Sequence, residues 1–249
     1  MHTPKQIHRE SSDKIVVFVH GFMGTPYQFE DLMKATYEDD FSVASILLPG
    51  HGATGLEFAK CTLKAWEEHL HSELTKLSEY KKIYLVGHSI GGLLALNATE
   101  SFNISGVVAL STPLKIYFFN PLANYKKVKL TFKMVDEKIK DCYKNSNSIA
   151  SPYNRTIPLW GRVLLQPHKL MRKTRKNLKN ISVPTLIVHS KSDETVAIKS
   201  SLLFDRLMTN APHETVVLEE SWHAYYTESE RATVLNKILS FINKTSTKR

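Results

Sequence analysis

The chain contains the run Ile83-Tyr84-Leu85-Val86-Gly87-His88-Ser89-Ile90-Gly91-Gly92, followed directly by the apolar residues 93–96. The first four residues favour a buried strand, and the residues after Gly92 favour a helix. A Gly-x-Ser-x-Gly pattern between a strand and a helix is typical of a sharp turn that exposes the serine at the carboxyl end of the strand. The flanking glycines leave room for the strained backbone of Ser89. The run therefore predicts a serine nucleophile beside the N–H groups that open a helix.

Such a serine needs two partners. A hydroxyl is a weak nucleophile at neutral pH, so a histidine must remove its proton and a carboxylate must orient the imidazole. The apolar run Val183–His189 predicts a strand that ends just before Asp193, and Glu214–Leu218 predicts another that ends before His223. Because the loops after parallel strands emerge at one edge of a sheet, Ser89, Asp193 and His223 can converge there.

Other interpretations of these residues stay open at this stage. Glu194 and Glu219 are alternative acids, and His213 is an alternative base. His213 is the weaker choice because it precedes its strand and so belongs to the opposite edge. Asp193 also fits a loop-capping aspartate, and His223 a surface histidine.

A second glycine-containing loop follows the predicted strand Ile15–Val19, with the sequence His20-Gly21-Phe22-Met23-Gly24. Glycines after a strand let the backbone approach a ligand closely. We expect the N–H groups of Phe22 and Ile90 to form an oxyanion hole. The alternative is a tight structural loop with His20 packed beneath it. His51, in a third turn, is expected to be structural.

These residues make the chain resemble the α/β-hydrolases, and within that superfamily the small bacterial carboxylesterases and monoacylglycerol lipases. The similar segments keep the family's order: His20-Gly21-Phe22-Met23-Gly24-Thr25-Pro26, Pro49-Gly50-His51-Gly52, Gly87-His88-Ser89-Ile90-Gly91, Asp193 with Val196, and Ser221-Trp222-His223. The resemblance implies Ser89 as nucleophile, Asp193 and His223 as its partners, and Phe22 and Ile90 as oxyanion donors. The chain differs from the family's pattern in two places. Only about a dozen residues precede the first clear strand, which implies missing or reduced leading strands, and the segment after Thr112 shares no family motif.

The order of elements predicts an α/β fold of one domain over residues 1–249, with a mostly parallel central sheet covered by helices on both faces. Strands are expected at about 15–19, 42–48, 83–86, 106–110, 184–189 and 214–218. Helical spacing covers 63–77, 200–208 and 231–242. A chain of 249 residues is long enough to bury a large core.

The positive charge is concentrated in one segment, at about 113–180. This segment carries sixteen Lys and Arg against three acids, whereas the rest of the chain carries 17 basic and 21 acidic residues. In the family it resembles, an insertion here forms a cap over the active site. We expect part of its apolar side chains to line an acyl pocket and the rest to form its own core. They are Ile116, Tyr117, Phe118, Phe119, Leu122, Tyr125, Phe132, Met134, Leu159, Trp160, Leu164, Leu165, Leu170 and Met171.

The basic cap has two interpretations. It is an ordinary solvated surface, or a positive rim that attracts anionic esters or makes transient contact with an anionic membrane surface. A nucleic-acid partner is not expected, because no recognition helix or RNA-binding signature accompanies the charge. The sequence leaves the oligomeric state open.

Several further classes are disfavoured. The start of the chain lacks the apolar core of a secretory signal, and no apolar stretch approaches the ~20 residues of a membrane span, so a cytoplasmic protein is expected. The two cysteines, Cys61 and Cys142, suggest neither a disulfide framework nor a metal site. No cofactor or metal is expected.

The predicted activity is that of a serine carboxylester hydrolase acting on short- to medium-chain acyl esters or monoacylglycerols. A triad defines the reaction class but not the acyl group, so a lysophospholipase, a thioesterase and a hydroxycinnamoyl esterase remain alternatives. A haloalkane dehalogenase is disfavoured because it needs a carboxylate where this chain has Ser89. A ligand-binding protein that retained the fold without turnover is the non-enzymatic alternative.

Overall fold

The computed structural model describes residues 2–117, 136–150 and 155–247 of the chain. Within these ranges seven strands form one sheet in the order β1-β3-β2-β4-β5-β6-β7. The strands are β1 Gln6–Ile7, β2 Lys14–Val19, β3 Ser42–Ile46, β4 Lys82–His88, β5 Ile104–Leu110, β6 Thr185–Ser190 and β7 His213–Leu218. Strand β1 runs antiparallel to β3, and every other neighbouring pair is parallel. The predicted fold class is confirmed.

All six strands expected from the sequence are present, within about two residues of their predicted bounds. The seventh, β1, has only two residues and pairs at the sheet edge through Gln6 and Ile7. A reduced leading strand was expected from the short stretch before β2. Its exposed side chains carry no alternating apolar pattern, which is why the sequence did not reveal it.

The core lies on both faces of the sheet. Successive strand residues point to opposite faces, and the buried side chains separate accordingly into two clusters. In β2, Ile15, Val17 and Val19 belong to one cluster, and Val16 and Phe18 belong to the other. A strand buried on both faces is continuously apolar, as is typical of parallel sheets.

Helices cover both faces. They are α1 Glu30–Glu38, α2 Gly55–Ala59, α3 Leu63–Lys76, α4 Ile90–Ala98, α5 Glu137–Ser146, α6 Gly161–Leu164, α7 Gln166–Asn177, α8 Lys199–Leu207 and α9 Glu228–Ser246. Helices α1 and α9 contribute Met33, Val234 and Ile238 to one cluster, and α3 and α4 contribute Trp66 and Leu93 to the other. Helix α4 is buried along its whole length, so the helix that follows Ser89 is held rigidly.

Helix α7, which carries much of the positive charge, packs against α3 and α4. Its Leu170 and Met171 are buried, and Asn97 of α4 donates a hydrogen bond to Oγ1 of the buried Thr174 at 2.6 Å. This helix therefore belongs to the layer that covers the sheet, although it lies within the segment predicted as a cap at about 113–180. The domain boundaries of that cap stay a prediction.

Candidate active site

Ser89 lies at the turn between β4 and α4, with φ 53° and ψ −119°. This left-handed conformation is unusual for a residue with a side chain. Two close approaches explain the glycines around it: a Cβ on Gly87 would lie 2.4 Å from the backbone nitrogen of Gly92, and a Cβ on Gly91 would lie 2.0 Å from the carbonyl oxygen of Val19. The sharp turn that the sequence predicts is therefore present, and only glycine fits beside it.

Asp193 and His223 follow the neighbouring strands β6 and β7, which end in register at Ser190 and Leu218. Nδ1–H of His223 donates to Oδ2 of Asp193 at 2.8 Å. The other carboxylate oxygen accepts from the backbone N–H groups of Thr195 at 2.8 Å and Val196 at 2.7 Å. Asp193 is 1 % exposed. The carboxylate is thus fixed in place, and it holds the ring in the tautomer whose Nε2 is free to accept a proton.

The surroundings of this pair change the pKa of both groups. Burial alone would lower the pKa of His223, but the charge of Asp193 and the hydrogen bond to it raise that pKa above its usual value. For Asp193, burial opposes ionisation, yet His223 and the two loop N–H groups together lower its pKa. A base with a raised pKa next to an ionised carboxylate suits proton abstraction near neutral pH.

The sheet brings the elbow and this pair to the same edge, because β4, β6 and β7 are parallel and the loops after them emerge together. The ring of His88, the residue before Ser89, lies 4.7 Å from the ring of His223. Nε2–H of His88 donates to the backbone carbonyl of His223 at 2.8 Å. The loop with His223 is thus attached directly beside Ser89.

The loop after β2 approaches the elbow from the other side. A Cβ on Gly21 would lie 3.1 Å from Cβ of Ser89, so the two backbones are close. Among the hydrogen bonds of the described residues, neither the N–H of Phe22 nor that of Ile90 has an acceptor. Two free N–H groups next to a serine are what an oxyanion hole requires.

His20 and His51 support that loop. Nε2 of His51 accepts from the N–H of Met23 at 3.2 Å, and Nε2 of His20 accepts from the N–H of Leu48 at 3.0 Å. Burial lowers the pKa of His51 to about 4. Burial and the neighbouring His51 hold the pKa of His20 well below its usual value. Both rings are neutral at physiological pH and act as structural acceptors, as expected for His51.

The alternative acids and base occupy other positions. Glu219 is exposed and pairs with Lys191 at 2.6 Å. His213 opens β7, at the edge opposite Leu218, and its nearest carboxylate is Asp205 at 3.5 Å. Glu194 is buried and accepts from the backbone N–H of His223 at 3.0 Å rather than from its ring.

Residues 136–150 contact two loops of the site, the one that follows β2 and the one that follows β7. The hydroxyl of Tyr143 in α5 reaches the loop that follows β7, and Ser148 donates its N–H to the carbonyl of Met23 at 2.9 Å. Sequence reasoning missed Tyr143, Ser148 and the hydrogen bond of His88. The position of His88 inside the Gly-x-Ser-x-Gly motif was a usable signal, whereas the segment after Thr112 offered none.

Of the apolar residues predicted to line an acyl pocket, six lie outside the described residues: Phe118, Phe119, Leu122, Tyr125, Phe132 and Met134. Trp160 is buried against Phe58, and Leu170 and Met171 are core residues of the sheet's helical layer. Leu159 and Leu165 are exposed. For Trp160, Leu170 and Met171, the interpretation as core holds.

The described residues offer neither a metal centre nor a membrane-spanning helix. No group of three or more His, Cys, Asp or Glu side chains in these residues has an arrangement that would hold a metal ion. None of their helices combines the length and the apolar character that crossing a membrane requires.

Residues 10–230 match the family described as serine aminopeptidase, S33, also called Hydrolase_4. The chain belongs to this family. It is an enzyme of the α/β-hydrolase fold, and its Gly-x-Ser-x-Gly motif is typical of serine hydrolases.

The hydrolase is similar over nearly its whole length to curated bacterial enzymes. It is 23% identical to a carboxylesterase of Bacillus subtilis (strain 168), with 97% of each chain covered. It is 25% identical to a thermostable monoacylglycerol lipase of Bacillus sp. (strain H-257), with 92% of this chain and 90% of that protein covered. An esterase or lipase activity is what these two relatives have in common.

Solved structures agree on the fold. A structure of one of two metagenome-derived lipolytic enzymes, LipS and LipT, superposes with a TM-score of 0.75 at 20% identity over 98% of both chains. The monoacylglycerol lipase of Paleococcus ferrophilus gives a TM-score of 0.72 at 17% identity, covering 96% of this chain and 98% of that one.

Proposed function

We propose that the protein is a serine carboxylester hydrolase that cleaves short- to medium-chain acyl esters or monoacylglycerols through an acyl-enzyme. The observation that carries the proposal is the buried hydrogen bond of 2.8 Å between His223 and Asp193, at the sheet edge where Ser89 sits in a left-handed turn. The similarity to a carboxylesterase and to a monoacylglycerol lipase supports the choice of esters as substrates.

In the first half of the reaction, Nε2 of His223 takes the proton from Oγ of Ser89 as that oxygen attacks the ester carbonyl carbon. The carbonyl oxygen becomes an oxyanion and accepts hydrogen bonds from the N–H groups of Phe22 and Ile90. The C–O bond to the alcohol then breaks, and the imidazolium of His223 gives its proton to the departing alcohol. Asp193 stays ionised and stabilises the imidazolium.

In the second half, water takes the place of the alcohol. His223 removes one proton from this water as the water oxygen attacks the acyl carbon. The bond between that carbon and Oγ of Ser89 then breaks, and His223 returns the proton to Oγ. The products are the carboxylic acid and free enzyme. No metal or cofactor takes part in either half.

The substrate is tested with p-nitrophenyl esters of graded chain length, beside monoacylglycerols, lysophospholipids, acyl thioesters and hydroxycinnamoyl esters. We expect the highest kcat/KM for short to medium acyl chains or for monoacylglycerols. Ser89→Ala should lower kcat at least ~10³-fold while the protein stays folded. A preference for lysophospholipids, thioesters or hydroxycinnamoyl esters would replace the proposed substrate, and binding without turnover of any ester would make the protein a ligand-binding relative.

Two further proposals concern the location of the protein and its partners. We place the protein in the cytoplasm and propose transient contact between its basic surface and anionic membranes. The side chains that support this contact are Arg172, Lys173, Arg175 and Lys176 of α7, which are all exposed.

A further inference from the structure

The backbone of His223 is held by buried side chains on both sides. Its N–H donates to Oε2 of Glu194 at 3.0 Å, and its carbonyl accepts from Nε2–H of His88 at 2.8 Å. The next N–H, that of Ala224, donates to the hydroxyl of Tyr143 at 3.1 Å. Ring orientation by Asp193 is thus only part of what places this histidine.

Glu194 and Tyr143 are joined to each other. The hydroxyl of Tyr143 donates to Oε1 of Glu194 at 2.7 Å while it accepts from Ala224. One carboxylate and one hydroxyl therefore hold two successive N–H groups of the loop that follows β7. Burial and then the charge of Glu194 raise the pKa of Tyr143 well above its usual value, so its hydroxyl keeps the proton that it donates.

We infer that Glu194 and Tyr143 form a clamp that positions His223 for proton transfer, with Tyr143 supplied by helix α5 of the segment outside the sheet. Neither residue touches the reacting atoms, so both are positioning residues. Their role rests on the function proposed above, because it presumes that His223 is the base.

The clamp matters because a small displacement of a general base is costly. Misplacement of a catalytic group by about 1 Å can lower the rate ~10²-fold. Removing the hydroxyl of Tyr143 leaves the N–H of Ala224 without this acceptor and Glu194 without this donor, which loosens the loop. A loosened base slows proton transfer in the bound complex, so the loss falls on kcat rather than on KM.

Glu194 also acts through its charge. His223 faces titratable side chains from several elements: Asp193, Glu194, His88 and His189 lie near it, and Tyr143 contacts the same loop. Burial lowers the pKa of His88 to about 3 and that of His189 to about 4, so both are neutral near pH 7. Asp193 and Glu194 are the groups that raise the pKa of His223.

The two members of the clamp therefore have separable signatures. Tyr143→Phe should lower kcat about 10- to 100-fold, with little change in KM. The acidic limb of its pH profile of kcat/KM should lie at the same pH as in the wild type. Glu194→Gln keeps the size and shape of the side chain but removes its negative charge. It should lower the pKa of His223 and shift the acid limb to lower pH, because the base then becomes neutral at lower pH.

Tyr84→Phe is the matched control, because Tyr84 is also buried but lies in β4 within the core. It removes a buried hydroxyl without touching the site and should keep kcat within about two-fold of the wild type. If Tyr143→Phe keeps the kcat of the wild type, as Tyr84→Phe should, the clamp is wrong. Equal loss of kcat in both variants would also contradict the clamp, since loss of any buried hydroxyl would then have the same effect.

Two measurements do not depend on the fold of Tyr143→Phe or on turnover. The NMR titration of the His223 ring in wild type and Glu194→Gln should give a lower pKa in the variant, and an unchanged pKa would overturn the clamp. Labelling of the wild type by a fluorophosphonate reports on the proposed function separately. A labelled, active enzyme whose Tyr143→Phe variant keeps full kcat loses only the clamp, whereas a wild type without labelling or turnover loses the proposed function.

Discussion

His51 and His223 are both buried histidines at the carboxyl edge of the sheet, yet their pKa values move in opposite directions. Burial lowers the pKa of His51 to about 4. For His223 the charge of Asp193 outweighs burial and raises the pKa. Each ring holds a loop of the site, but only His223 has a carboxylate at hydrogen-bond distance, at 2.8 Å.

One buried carboxylate distinguishes the proposed base, His223, from a structural acceptor, His51. Nε2 of His51 is already occupied by the N–H of Met23. In His223, Nδ1 is occupied by Asp193, and Nε2 is left for the proton that the proposed mechanism takes from Oγ of Ser89. The same residue type thus fixes the loop after β2 in one place and is available for the proposed proton transfer in the other.

The largest effect should come from removing that carboxylate. Asp193→Asn should lower kcat on the order of 10⁴-fold, because the amide favours the wrong imidazole tautomer. His223→Ala should be comparably damaging. The measurement is kcat on a p-nitrophenyl ester, with Glu219→Gln and His213→Ala as controls that keep nearly full activity. If His213→Ala is inactive and His223→Ala is active, His213 is the base, and the assignment of His223 is wrong.

A smaller effect should appear in stability rather than in activity. Since the folded pKa of His51 is about 4 and the unfolded one about 6.5, the unfolded chain binds the proton first as the pH falls. This contribution to stability is present above pH ~6.5 and is lost as the pH falls toward 4, by on the order of 3 kcal/mol in total.

His51→Gln keeps an acceptor for Met23 and removes the titration. Its free energy of unfolding, measured in urea from pH 7.5 to 4.5, should fall less steeply than that of the wild type. An unaltered slope in His51→Gln would mean that His51 does not differ from an exposed histidine.

The smallest effect concerns the basic face of α7. If it attracts anionic substrate, kcat/KM for anionic esters, or for esters in anionic vesicles, should fall a few-fold as salt rises from ~10 mM to ~0.5 M, because the Debye length shrinks from about 30 Å to a few Å. Neutral esters should respond little. Changing Arg172, Arg175 and Lys176 to Glu should reproduce the loss at low salt, and leaves Lys173 paired with Glu67 at 2.8 Å.

The matched control reverses three exposed charges on other helices, Lys34, Arg206 and Lys244. It changes the net charge equally and should have a weaker effect. Equal effects of the two triple variants, or equal salt sensitivity of neutral and anionic esters, would leave the basic face as an ordinary solvated surface.

Much of the fold followed from local patterns. Continuous apolar runs such as Ile15–Val19 predicted buried parallel strands, and the glycines around Ser89 predicted the turn that carries it. Asp193 and His223 were found because parallel topology turns sequence position after a strand into a place in space. The sequence predicts their roles, and the tests above decide them.

The rest depended on contacts between distant segments. Nothing in the sequence around Tyr143 marks it as a partner of Glu194, because the two lie on separate elements and meet only in the folded chain. The basic pattern of α7 was visible, but its burial against Asn97 of α4 was not. A periodic charged helix fits a cap and a helical layer equally well, and only packing distinguishes the two.

The proposed function requires that Ser89 is a nucleophile activated by His223. It is tested most directly by incubating the protein with a fluorophosphonate and mapping the adduct by mass spectrometry of the peptides. We expect one phosphonyl group on the peptide that contains Ser89, none in Ser89→Ala, and much slower labelling in His223→Ala. An adduct on another serine would contradict the role of Ser89, and labelling at full rate without His223 would contradict the role of His223.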